Sequence, residues 1–113
     1  MTAPAWDAEE QHLQTAATVA HLLREGAVAE GACITLDVQI VPQAGAGPLA
    51  RAGLLAALSD AGYAFADAGD GVEVAVPDVA VSTEAIWAVE SALAELALRF
   101  QWVPDGWGFL EPE

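Results

Sequence analysis

Cys33-Ile34-Thr35-Leu36-Asp37-Val38-Gln39-Ile40-Val41-Pro42 is the stretch that decides the fold. Apolar and polar residues alternate along it. Ile34, Leu36, Val38 and Ile40 fall on one side, and Thr35, Asp37 and Gln39 on the other. A period of two belongs to a strand with one buried and one wet face, so a strand is predicted over 32–41. Upstream, 7–25 reads as a helix. Asp7 is placed to cap it, with Glu10 three residues on, and Leu13, Ala16, Ala17, Ala20 and Leu22 or Leu23 supply its apolar stripe. Arg24 in the last turn and Gly26 beyond it are stop signals.

Downstream, 42–47 reads as a loop and Pro48 opens a second helix at the favoured first position. Leu54, Leu55, Leu58 and Ala61 are expected on its buried side, with Gly62 ending it. A short strand over 63–67 and turn chemistry over 68–71 follow. The next strand turns Val72, Val74 and Val76 inward and Glu73 and Ala75 outward, until Pro77 bends or ends its pairing. Ser82 or Thr83 caps a third helix to about 100, with Ile86, Val89, Leu93, Leu96, Ala97 and Phe100 as its stripe. A last strand over 101–103 leads into a Gly- and Trp-rich turn over 104–109. The order α-β-α-β-β-α-β is, after its first helix, the split β-α-β pattern of the ferredoxin-like fold, an α+β class. Two right-handed crossovers place the strands 4-1-3-2 in one antiparallel sheet. The second and third helices cover one face. The other is open, or partly covered by the extra N-terminal helix. One domain is expected over 6–113.

Seventeen carboxylates stand against three arginines (Arg24, Arg51 and Arg99) and no lysine, for a formal net charge of −14. Nucleic-acid affinity comes largely from cations that neutralise phosphates, so direct RNA or DNA binding is not expected. An acidic domain is instead steered toward basic protein surfaces. With 55% apolar residues in 113, the chain can bury a core without a staple. A single cysteine, Cys33, permits no internal disulfide. The absence of a long apolar run and of a basic, apolar leader predicts neither a membrane span nor a secretory signal. These features point to the cytoplasm.

Catalytic patterns are scarce. His12 and His21 lie nine positions apart, on opposite faces of one helix. His21 and Glu25 share a face, but two ligands are too few for zinc. Cys33 is expected as a buried, inert thiol. The glycine pairs Gly45/Gly47 and Gly69/Gly71 lack the lysine and hydroxyl of a phosphate loop. No catalytic, cofactor or metal residue is therefore assigned, and no cofactor is expected. Among four tryptophans, Trp6 and Trp107 are candidates for a partner contact.

Asp105-Gly106-Trp107-Gly108-Phe109, followed by Glu111-Pro112-Glu113, resembles the RraB family, regulators of ribonuclease E activity. The helix from Glu10-Gln11 to Leu22-Leu23-Arg24-Glu25-Gly26, the strand from Cys33 and the Ala61-Gly62-Tyr63 junction agree with that family in order, over roughly residues 7–112. Helices rich in alanine, where many family residues are charged, are a departure. The resemblance implies a ferredoxin-like fold and a protein that binds the endoribonuclease and lowers its activity. The residues themselves suggest a polar, negative platform of Asp37, Glu73, Thr35 and Gln39 on the open face, with Trp107 anchoring the terminal turn. The expected partner is ribonuclease E or another basic protein surface. Two other readings stand beside this one: a small-molecule-binding or enzymatic domain on the same fold, and an RNA binder with stacked aromatics on the open sheet. The outward residues Thr35, Asp37, Gln39 and Glu73 speak against the second of these.

Overall fold

The computed structural model describes residues 7–26, 28–67, 69 and 71–110. Seven elements follow one another: α1 (Ala8–Glu25), β1 (Cys33–Pro42), α2 (Pro48–Asp60), β2 (Ala64–Asp67), β3 (Val72–Ala80), α3 (Thr83–Leu98) and β4 (Trp102–Leu110). They form an α+β fold with one four-stranded sheet in the order β2-β3-β1-β4, every neighbouring pair antiparallel.

Local chemistry sets the helix ends. The Asp7 carboxylate accepts from the Glu10 N–H at 3.2 Å, and Gly26, at φ 71°, returns its N–H to the Leu22 and Leu23 carbonyls. Only a residue tolerant of the left-handed region closes a helix this way at little cost. Pro48 occupies the first turn of α2, and Ser82 Oγ caps α3 by accepting from the Ala85 N–H at 3.1 Å.

The alternation of β1 holds throughout. Ile34, Leu36, Val38 and Ile40 are buried, and β3 adds Val72, Val74 and Val79 to the same face. Pro77 does not end β3. One extra residue lies opposite Thr35, because Leu36 pairs with Val76 and Ile34 with Val79. Asp78 takes φ 59° there. This bulge absorbs the proline and keeps Val79 on the inward phase.

α2 lies along β2 and α3, while α3 spans β3, β1 and β4. Where α2 meets the residues just beyond α3, a Cβ on Gly53 would stand 2.7 Å from the Phe100 ring, so a larger residue there would require that ring to move. α1 packs on α3 and makes no comparable contact with any strand. It therefore joins the helix side, and among the described residues no helix covers the other face.

Three expectations need correction. The buried positions of α1 are Thr15 and Val19, with Leu22 and Leu23 half-buried, while Leu13 is 72% exposed and Ala17 and Ala20 are exposed. The apolar count favoured the wrong stripe because the helix presents a threonine to its neighbour. Ala61 likewise is exposed, beyond the last turn of α2. The largest correction concerns 104–109. This segment is strand rather than turn: β4 pairs with β1 from Pro42↔Trp102 to Thr35↔Leu110, with an extra residue at Asp105 between Ile40↔Pro104 and Gln39↔Gly106. Proline and two glycines mimic a turn signal, but β4 lies at the sheet edge, where both residue types are tolerated. Of the turn expected over 68–71, positions 68 and 70 lie outside the described residues, as do Trp6 and the Glu111-Pro112-Glu113 end.

Trp102 is 2% exposed, and the Arg51 guanidinium carbon lies 5.4 Å from its ring centroid. Its Nε1–H has no hydrogen-bond partner among the described residues. Trp102→Ala is expected to cost about 3–5 kcal/mol in urea unfolding. Trp102→Phe should cost less than half of that, since it also removes a buried donor worth about 1–3 kcal/mol when unpaired.

Candidate functional site

The open face is built from the outward positions of the sheet. β1 contributes Thr35, Asp37 and Gln39, and β3 contributes Glu73 and Ala75. Register sets their neighbours: Gln39 lies between Glu73 and Gly106, and Asp37 between Ala75 and Gly108. Gln39 Nε2 donates to Glu73 Oε1 at 3.3 Å. Asp37 therefore rises from a floor of small residues, with nothing bulky on either adjoining strand.

A groove of about 330 Å³ is lined by Asp37, Gln39, Glu73, Gly106, Trp107 and Gly108. A second hollow, about 240 Å³, shares Asp37 and Glu73 and continues across Ala64, Ala66 and Ala75 to the β2 edge. Four of the five residues singled out in the sequence thus meet in one groove. Thr35 shares the face but stands beside the β3 bulge, outside both linings. The expectation of a contact residue on the open face is corrected: Trp107 lines the groove from a strand position opposite the inward-facing Val38, so its side chain belongs to the helix side, half-buried against the core. The sequence misplaced it in a turn, because a glycine on each side breaks the alternation a strand normally shows.

On the helix side of β4 lies a third cavity of about 200 Å³. Gln11, Gln14, Thr15 and Thr18 of α1, Glu90 of α3, and Asp105, Gly106 and Trp107 of β4 line it. Glu90 is only 4% exposed, and Thr15 Oγ1 donates a short hydrogen bond to its carboxylate. Burial pushes the Glu90 carboxyl above the usual glutamate range, and the Thr15 bond opposes that shift in part. The sequence reading passed over this pair. Its signal was a polar residue inside an apolar stripe: Glu90 sits four residues after Ile86 and three before Leu93, and Thr15 four before Val19.

The other candidates separate. Cys33 is exposed, a correction to the buried thiol: it precedes Ile34 and so falls on the outward phase of β1. His12 stacks on Trp87 at 4.8 Å between ring centroids, tying α1 to α3. His21 faces Glu25 at 3.9 Å on the far side of α1. Among the described residues no three His, Cys, Asp or Glu side chains converge to hold a metal ion, and no helix is long and apolar enough to cross a membrane. Arg51 is engaged at the other end of the sheet. It pairs with Asp67, whose carboxyl it holds below the usual aspartate range with help from the Gly69 N–H. What the arrangement can do chemically is attract and orient cations, because carboxylates line both sides of Trp107 and the described arginines stand elsewhere.

Comparison with protein families, with curated proteins and with solved structures finds no match to this chain.

Glu90 binds its proton more tightly when folded than when unfolded. Its contribution to stability is complete below the ordinary value of 4.5 and is lost as pH rises through the elevated folded value. Glu90→Gln keeps an acceptor for Thr15 and removes that loss. The variant is expected to be more stable than the parent near neutrality, with the difference closing as pH falls below about 4. Urea midpoints measured across that range check it.

Proposed function

We propose that the chain is a non-catalytic, protein-binding regulator that resembles inhibitors of ribonuclease E and modulates RNA degradation by binding the endoribonuclease. The observation that carries this reading is the open-face groove, in which Asp37, Gln39 and Glu73 gather on a surface that no described helix covers. The likeness of Asp105-Gly106-Trp107-Gly108-Phe109 to the RraB family supplies the named target. The antiparallel order with a split β-α-β connection supports a ferredoxin-like fold carrying an extra N-terminal helix.

The physical case rests on charge. A net −14 gives the molecule a strong negative field, and two carboxylates on neighbouring central strands offer a local target within it. Such complementarity speeds association and selects partners more than it adds affinity. The partner surface is therefore basic, the reading places the protein in the cytoplasm, and nucleic acid is not bound directly. A small-molecule-binding domain is the competing reading. It rests on the same hollows.

Asp37→Lys combined with Glu73→Lys is expected to slow association with purified ribonuclease E at least about tenfold at low salt, with the gap shrinking as salt rises. Surface plasmon resonance across a salt series measures it. Equal association rates at low salt would remove the open face from the mechanism. A small molecule recovered by native mass spectrometry, with no ribonuclease in a lysate pull-down, would replace the regulator reading.

A further inference from the structure

Carboxylates line cavities on both faces of β4, and Gly106 and Trp107 belong to both cavities. β4 is also a sheet edge, nine residues long against four for β2 at the opposite edge. An edge strand presents unpaired N–H and C=O groups to any chain that can align with them, and proteins usually guard such edges. β2 is short and ends in the Arg51–Asp67 ion pair. The first half of β4 carries Pro104 and the Asp105 bulge. The second half carries neither. From Gly106 to Leu110 it pairs in unbroken register with β1, which leaves its other side regular, and among the described residues no strand pairs with that side.

The helix layer adds a second observation. α2 lies over β2, α3 reaches β4, and α1 packs on the outer side of α3. α1 thus lies on the β4 side of the helix layer. Between α1 and β4 sits the cavity lined by Thr15, Thr18, Glu90 and Asp105.

We propose that the free edge of β4 at Gly106–Leu110 takes an extended, arginine- or lysine-bearing segment of a partner protein as a fifth strand, with α1 as its roof. The proposal deepens the regulator reading, and rests on it for the existence of a partner. Successive side chains of a strand point to opposite faces. Two adjacent basic residues in the added segment would therefore reach opposite sides, one across Gly108 toward Asp37 and the next toward Asp105. Gly108 helps: a Cβ there would meet nothing within 4 Å, so packing does not require glycine, and its absence leaves the groove open for an incoming side chain. A second copy of this chain is the poorer occupant, because it brings another −14 to an edge flanked by carboxylates.

The test uses the whole protein, labelled with nitrogen-15, and a synthetic peptide of about ten threonines and valines carrying two adjacent arginines. Two control peptides replace the arginines with glutamates or N-methylate the alternate amides that would face β4. The arginine peptide is expected to shift the amides of residues 106–110 and to slow their hydrogen exchange; the controls should do neither. Gly108→Lys, which puts a cation into the groove at a position open to side chains, should weaken binding of the arginine peptide by about tenfold or more at low salt. Equal binding of the N-methylated peptide would overturn the proposal, since charge alone would then suffice. So would protection confined to β2, or a dimer in sedimentation that excludes the peptide. Gly108→Lys that still binds ribonuclease E at full affinity would sink the edge and leave the regulator reading standing. Strand addition of the peptide with no ribonuclease binding would do the reverse.

Discussion

Burial of Ile34, Leu36, Val38 and Ile40 on one face of β1 is the constraint on which the other elements depend. β1 is a central strand, paired along its length with β3 on one side and β4 on the other. A side chain of this size contributes about 1.5–3 kcal/mol when fully buried, so a one-residue slip that turned all four outward could not be sustained. That phase fixes which residues of β3 and β4 face the helices, and the helices must close over the same side. The other face stays wet because Thr35, Asp37 and Gln39 alternate with the buried set.

The few positive charges are placed away from that wet face. Arg51 is engaged with Asp67 and lies against Trp102, while Arg24 and Arg99 are exposed at the ends of α1 and α3. The carboxylates of the open face therefore keep their field, and solvent and counterions answer it until a cationic surface arrives. Glu90 is the exception in kind. It is the one carboxylate recorded as buried among the described residues, and its partner is a neutral hydroxyl rather than a cation. Helix α1 is thus joined to α3 through a polar contact whose strength depends on protonation, alongside the aromatic stack of His12 and Trp87.

Much of this was legible in the residues, and the failures have physical causes. The strand phase of β1, the caps at Asp7 and Ser82, the start of α2 at Pro48 and the α+β class follow from short-range rules, and the structure shows them. Asp37, Gln39 and Glu73 could be grouped because each lies on a strand whose inward set was plain. The α1 stripe was misread because Leu13 outweighs Thr15 on any hydrophobicity scale, while the neighbour that decides the matter lies 75 residues away. β4 was cut short because proline and glycine mark turns in isolation. Pairing to a long central strand overrides that preference, as tertiary context commonly does for β propensity.

The two bulges have a consequence for how the chain can change length. Each inserts one residue beside β1: one at Pro77–Asp78 opposite Thr35, the other at Asp105 between the partners of Gln39 and Ile40. Losing a residue elsewhere in β3 or β4 would throw every later side chain to the wrong face. Losing Asp78 or Asp105 would instead restore a regular ladder, with Val79 still inward on one strand and Trp107 still inward on the other. Sheet length is therefore elastic at two places and rigid everywhere else, so single-residue gaps among natural variants of this fold should gather there.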